Sequence, residues 1–405
     1  MELEVCWAGR EPRPIGRLYQ NERGTVFFEY APAWRAGTLE LSPIYLPNST
    51  LGAVSTPTPG FGSLHGLFQD ALPDWWGERL MRRRFEKAGI PWNRVTELRK
   101  LACQGNRKMG ALSFEPRMED ADFNTSMAAD LEALVEAARA TLRGETGEVL
   151  AALLRGGMSP GGAQPKALLA LSPDLAEIRL DDPAPAGFGS WLIKFDIEPV
   201  LQEGRIEAAY ADMARAAGLQ VPETRLLESA GACHFLSRRF DRTRNGERLH
   251  LHSYSGLTHT PLRDGLEYGD LIEVTRSLTR DQRAVDEVFR RAVFNVVAAN
   301  DDDHGRNHAF LMDADGMWTL APAFDLTLAS YPLASGFRAA RVNGKASSIQ
   351  FKDLVRLGGE HDVSNPQDII TGVTESVSRW HYHAAANGIT PANADHVAAQ
   401  HRLRL

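Results

Sequence analysis

Cysteine is scarce in this chain: only Cys6, Cys103 and Cys233 occur in 405 residues, far apart and with no CxxC pair. That spacing argues against a disulfide framework and for a reduced interior. Basic excess is also missing, since 45 Lys and Arg face 52 Asp and Glu for a net charge of −7. No global positive field therefore draws the chain to nucleic acid or to an anionic membrane. No apolar run approaches the roughly 20 residues that span a bilayer. The opening Met1-Glu2-Leu3-Glu4 lacks the basic flank and apolar stretch of a secretory signal. Repeats of fixed period and low-complexity tracts are absent as well. What remains is the expectation of a cytoplasmic, membrane-free chain. Its length, at roughly 150 residues per domain, allows two or three domains.

The pattern of apolar residues supplies the layout. Leu3–Trp7, Ile15–Tyr19 and Thr25–Tyr30 read as short strands, separated by Gly9, Pro12, Pro14 and Gly24, which suits antiparallel connections. From Ser63 to about Ala102 the period turns helical, interrupted at Pro73 and Pro91. A turn-rich stretch at Pro116–Asn124 marks the first boundary, and helical segments follow over Ala128–Leu142 and Glu145–Leu154. Strand-like runs at Ala167–Leu171, Glu177–Leu180 and Ser190–Phe195 precede a helix over Arg205–Ala217. Gly218 then takes the C′ position that favours glycine. Thr224–Leu227 and Cys233–Phe240 complete a small sheet. Beyond Ser255 the chain is mostly helical, with one β-like return at His308–Met312 and Trp318–Leu320. The divisions expected are residues 1–120, 121–255 and 256–405. They form an α+β, two-lobed arrangement, with small antiparallel sheets in a mixed α/β N-terminal part, a helical C-terminal lobe, and a cleft between the lobes for a ligand.

Three stretches carry chemistry. Gly156, Gly157, Gly161 and Gly162 lie within seven residues of one another around Ser159, and Lys166 follows. Such a loop turns its amides inward and can cradle phosphate oxygens, although taken alone it fits a flexible connection better. Its spacing is neither the Walker A form nor GxGxxG. Second, Lys194 sits in the apolar run Trp191-Leu192-Ile193-Lys194-Phe195. It is either a solvent-facing strand lysine or a point charge for nucleotide phosphates, and Glu207 on the next helix is better placed to hold it than Asp212. Third, Asn300-Asp301-Asp302-Asp303-His304-Gly305-Arg306-Asn307-His308 follows an amphipathic helix over Asp281–Ala299. Three adjacent aspartates at a buried helix end repel one another unless a cation or proton relieves them. Asp302 and Asn307 keep the Asp-x-x-x-x-Asn spacing of a kinase catalytic loop, and Asp325 in Ala323-Phe324-Asp325-Leu326 stands where a second metal-binding carboxylate belongs. A hydrolytic metal site using His304 and His308 competes with this reading, weakened by Gly305 between them and by the lack of a third histidine.

Taken together, these residues resemble the HipA family of serine/threonine kinase toxins. Phe68-Gln69-Asp70-Ala71-Leu72-Pro73-Asp74-Trp75-Trp76-Gly77 is similar to a segment of that family's N-terminal subdomain, and Ser159–Lys166 to its Gly-rich loop. Ile193-Lys194 resembles the nucleotide-contacting strand, Asn300–Asn307 the catalytic loop and Phe324-Asp325 the metal motif. The resemblance implies an ATP- and Mg²⁺-dependent protein kinase with a kinase-like fold. Asp302 would be the catalytic base, Asn307 and Asp325 the metal ligands, Lys194 the phosphate-binding lysine and Glu207 the residue that orients it. Gly161, Gly162, Ala163, Gln164, Lys166, His304 and Arg306 would line the nucleotide. Arg238-Arg239-Phe240-Asp241 would form the adenine-reading hinge, Arg238 standing where better-known members have glutamate. Ser159 falls on the family's autophosphorylation serine, whose added charge of about −1.5 to −2 does not suit a cradle for ATP phosphates. The same resemblance implies a small helix-turn-helix antitoxin of HipB type, operator DNA reached only through that complex, and a protein substrate such as an aminoacyl-tRNA synthetase. A kinase-like module that only docks a repressor is the alternative from a different class.

Overall fold

The computed structural model describes residues 1–55, 58–59, 61–105, 107–118, 128–144, 153, 164–262, 265–329 and 337–404. Strands β1 (Glu2–Trp7), β2 (Arg13–Gln20) and β3 (Val26–Tyr30) form where apolar residues alternate, and β4 (Leu112–Glu115) joins them in the antiparallel order β3-β2-β1-β4. Leu3, Val5 and Trp7 of β1 point inward while Glu2 and Glu4 face water, the period-two pattern of a half-buried sheet. β4 pairs with β1 from more than a hundred residues away. The helical stretch after Ser63 breaks at its prolines into Gly66–Gln69, Trp75–Lys87, a 3₁₀ turn and Glu97–Gln104, with Asp74 and Thr96 capping the second and last helices.

A second antiparallel sheet holds β5 (Lys166–Leu171), β6 (Ile178–Arg179), β7 (Gly189–Lys194), β8 (Thr224–Ser229) and β9 (Ala232–Arg238), ordered β6-β5-β7-β9-β8. The helix Glu203–Ala216 packs on it and stops at Gly218, whose φ of +85° a side chain would resist. β10 (His250–Ser253), β12 (Ala309–Met312) and β13 (Trp318–Leu320) form a small sheet at the base of the helical lobe, and β11 (Leu266–Glu267) pairs in parallel with β14 (Ala340–Arg341). β10 lies before Ser255 in sequence yet pairs with the strand that follows the Asp-rich loop. The expected helix over Glu145–Leu154 and the Gly-rich loop up to Ala163 lie outside the described residues, Leu153 excepted. Among the described residues no helix is long and apolar enough to cross a membrane.

Apart from a small satellite cluster around Met81 and Phe85, the first 118 residues bury their apolar side chains together with other parts of the chain. Leu3, Val5, Phe28 and Phe68 share one apolar cluster with Phe289, Phe294, Leu354 and Trp380 of the helical lobe. Trp76 and Leu80 instead join the cluster of the small sheet, beside Leu169, Ile193 and Leu236. The segment between Phe68 and Trp76 therefore crosses from one lobe to the other. The crossing is tight at Gly66, where a Cβ would stand 1.7 Å from the carbonyl oxygen of Gly256.

Candidate active site

β5 begins at Lys166 and β7 ends at Lys194, and antiparallel pairing sets the two lysines directly opposite each other. Lys194 sits in an interior strand, between β5 and β9, and is 8% exposed, so it is no solvent-facing edge lysine. Its ammonium meets Glu207 from the helix Glu203–Ala216 and Asp325 from the loop after β13. Asp212 turns away to Arg215. Burial pulls the Lys194 ammonium down, but Asp325 and Glu207 outweigh it and keep the group charged. Burial likewise works against the Asp325 carboxylate, and the charges of Lys194 and Lys166 overcome it, holding Asp325 well below the usual carboxylate range. Glu207, sharing that lysine with Asp325, is pushed up to about 7, chiefly by burial. Asp325 adopts φ +58°, a left-handed conformation that aspartate tolerates better than most non-glycine residues.

The Asp-rich loop leaves the end of the helix Gln282–Val297, which Asp281 caps. It is pinned to the helix Tyr254–Thr258, whose first amides reach the carbonyls of His308 (2.7 Å) and Gly305 (3.0 Å). The cations that relieve the three adjacent aspartates are arginines, and they reach two of the three. Asp301 is clasped by both terminal nitrogens of Arg402 at 2.7 and 2.6 Å. Asp303 accepts from Arg338, from the Tyr268 hydroxyl at 2.6 Å and from the Ala340 amide at 3.0 Å. Asp302 is exposed, and its carboxylate has no hydrogen-bond or ion-pair partner among the described residues. Partial burial raises its pKa, as do Asp325 and Asp303, against the opposing charge of His304. Asn307 donates its side-chain amide to the Asp302 carbonyl at 2.9 Å, which fixes the turn.

Both lobes line a cleft. Lys166, Lys194, Glu207, Arg306, Asn307 and Asp325 face it together, with Arg238 and Phe240 at its far wall. The Arg238 guanidinium lies 5.5 Å over the Trp191 ring, and Phe240 packs on Phe324 with ring centroids 5.4 Å apart. Two expected cofactor residues stand apart from the cleft wall. Gln164 bonds Glu203 at 3.2 Å, and His304 sits on the loop beside Asp302. Ser159, Gly161, Gly162 and Ala163 lie outside the described residues. Of the competing His304/His308 pair, His308 is buried against Tyr268 and pushed down to about 3 by burial. Among the described residues no three His, Cys, Asp or Glu side chains converge to hold a metal. A carboxylate held ionised at Asp325 and an amide oxygen at Asn307 nevertheless suit a hard cation such as Mg²⁺, which takes few protein ligands and keeps its waters and phosphates.

Several participants were not singled out from the sequence. Arg338 and Arg402 neutralise the loop from 30 and more residues away. Lys108, 3% exposed, lines the cleft from the N-terminal part, and its carbonyl is clasped by Arg239 and Arg242. Asp74 meets the Lys166 ammonium at 2.9 Å. Lys108 had no sequence signal beyond its place near an apolar segment, and Asp74 stood only within the Phe68–Gly77 segment of the resemblance, with no role assigned.

Comparison with known proteins agrees with this architecture. Residues 158–381 match the HipA-like C-terminal domain and residues 3–115 the HipA N-terminal domain. Y4dM of Sinorhizobium fredii, which carries a provisional kinase name, is 26% identical over 216 residues, 49% of this chain and 52% of its own length. The chain thus spans about half of that relative. Y4mE of the same organism, also provisionally named a kinase, is 26% identical over 371 residues, 85% of this chain and 81% of its own. HipA of Shewanella oneidensis MR-1, solved with HipB and operator DNA, superposes with a TM-score of 0.68 over 98% of this chain and 95% of that one, at 18% identity. That likeness shows the fold: a two-lobed, kinase-like α+β architecture.

Proposed function

The chain belongs to the HipA family, and from that premise and the cleft geometry we propose that it is an ATP- and Mg²⁺-dependent serine/threonine protein kinase, the toxin of a toxin–antitoxin pair. The observation that carries the reading is the selective neutralisation of the Asp-rich loop. Two of its three aspartates are locked by arginines, and the one left open, Asp302, stands beside a buried Lys194–Glu207–Asp325 cluster. An acidic turn serving only the surface would not hold two carboxylates buried and leave the middle one unpaired.

The residues divide the work of phosphoryl transfer, which is mostly positioning and charge stabilisation. Lys194, held rigid by Glu207, offers a fixed ammonium to nucleotide phosphates. Asn307 and Asp325 would hold Mg²⁺, which supplies charge neutralisation on the phosphate oxygens when bound. The Phe240 amide, which has no hydrogen-bond acceptor among the described residues, is available to an adenine edge. Asp302, with its raised pKa, receives the proton of the attacking hydroxyl. Ser159 is the proposed site of self-modification, and a cellular protein is the substrate. Because the chain is acidic overall, a helix-turn-helix partner would carry the phosphate contacts to operator DNA.

The test is the intact mass of the purified chain before and after Mg-ATP, with Asp302→Asn and Ser159→Ala alongside. One added phosphate in the parent, absent from Ser159→Ala and slowed about 10³-fold or more in Asp302→Asn, is the expected result. Near-normal turnover in Asp302→Asn removes the base assignment. No phosphate gain and no nucleotide binding by the parent would leave a module that only docks a repressor.

A further inference from the structure

Two lysines directly opposite on one face of an antiparallel pair repel each other unless each finds its own anion. Lys194 has Glu207 and Asp325. Lys166 has Asp74, 2.9 Å away, with both side chains almost wholly buried. Asp74 comes from neither strand of the pair. It caps the helix Trp75–Lys87, accepting from the Gly77 amide at 2.7 Å, and the indole of Trp76 donates to the Lys166 carbonyl at 3.0 Å. The first turn of that helix therefore grips Lys166 at both its backbone and its ammonium. Four residues earlier, Asp70 is anchored to the opposite lobe: it accepts from the Ser253 amide and hydroxyl, each at 2.7 Å, and contacts the His252 ring at 2.7 Å. The stretch from Asp70 to Asp74 thus spans the cleft, with one carboxylate fixed in each lobe.

Lys166 is also near the other carboxylates. It lines the same cleft as Asp325 and Glu207, and its charge lowers both of them. Without Asp74, its ammonium would be drawn toward those two carboxylates, and Asp325 would be engaged by two lysines at once.

We infer that Asp74 is a positioning residue supplied by the N-terminal segment to the phosphate site: it tethers Lys166 along the cleft wall as a second phosphate cation and keeps that ammonium off Asp325, leaving Asp325 to hold the metal. The inference rests on the kinase reading above and adds a requirement to it: the N-terminal part completes the nucleotide site. It makes Asp74 and Lys166 a unit, so their substitutions must not act independently.

The experiment uses the full chain and follows binding of ADP by titration calorimetry over a range of Mg²⁺ concentrations. Asp74→Asn keeps an acceptor for the Gly77 amide and removes only the charge. It is expected to raise the Mg²⁺ concentration for half-maximal ADP binding about tenfold. Adding Lys166→Met to it should restore the parental Mg²⁺ midpoint while lowering ADP affinity by about tenfold. A purely structural defect in the helix cap would not be rescued by changing Lys166. If the Mg²⁺ midpoint of Asp74→Asn equals that of the parent, or if Lys166→Met fails to restore it, the inference is overturned while the kinase reading stands. Should Asp74→Asn not fold, Asp74→Asn with Lys166→Gln replaces the pair by neutral amides. Parental ADP affinity in that variant overturns the inference as well. Absence of Mg²⁺-dependent nucleotide binding in the parent overturns both.

Discussion

Asp301, Asp302 and Asp303 share one side chain and adjacent positions, and their environments give them different work. Pairing with Arg402 and Arg338 makes two of them structural, and lack of pairing leaves the third for chemistry. Lys108 shows the same dependence on surroundings. Burial, with the nearby charge of Arg248 and despite Asp70 and Asp241, lowers it from 10.5 to about 7. Between those values the unfolded chain binds a proton that the folded chain does not, so Lys108 makes stability rise with pH across that window. Its penalty is fully present below about pH 7 and fades toward 10.5. Lys108→Met should therefore raise the urea midpoint at pH 6 by more than at pH 10. An equal shift at both values would show that Lys108 titrates normally in the folded protein.

At the level of elements, the helix Gly66–Gln69 and the helix Tyr254–Thr258 join the N-terminal part to the helical lobe. Their contact depends on two glycines. A Cβ on Gly66 would stand 1.7 Å from the Gly256 carbonyl oxygen, and one on Gly256 would stand 2.3 Å from an Asp70 carboxylate oxygen. Because both obstacles are held by hydrogen bonds or backbone, neither can swing aside. Gly66→Ala should cost about 1–3 kcal/mol of stability by overpacking, read as a lowered urea midpoint. It should also weaken nucleotide binding, since Asp70 and the catalytic loop both rest on the helix Tyr254–Thr258. An unchanged midpoint would mean that this contact is looser than its geometry requires.

For the molecule as a whole, the shared apolar clusters mean that neither the first 118 residues nor the two lobes are independent bodies. The cleft lies where three parts meet, so a ligand in it ties them together. Under the proposed function, Mg-ADP at about 100 times its Kd adds roughly 2.7 kcal/mol of stability by mass action. The thermal midpoint should therefore rise, and Asp325→Asn should lose most of the rise that depends on Mg²⁺. A parent whose midpoint ignores Mg-ADP would contradict the proposed function at this scale.

Local chemistry made much of this protein legible in its sequence. Alternation in β1 to β3, the breaks at Pro73 and Pro91, the helix ending at Gly218 and the loop around Asp302 all depend on neighbours within a few residues, where periodicity and backbone preference act directly. The choice of Glu207 over Asp212 as the partner of Lys194 was also within reach, because one short connection separates the strand from that helix. Strands β4 and β10 were not legible. Each owes its existence to a partner far along the chain, and a four-residue stretch carries no signal of that partner. The same is true of charge. Which aspartate Arg402 would neutralise, which lysine Asp74 would hold, and that Lys108 would be buried at the cleft were decided by tertiary structure alone. An ion pair depends on distance in space, and only the packed chain brings those groups within reach of each other.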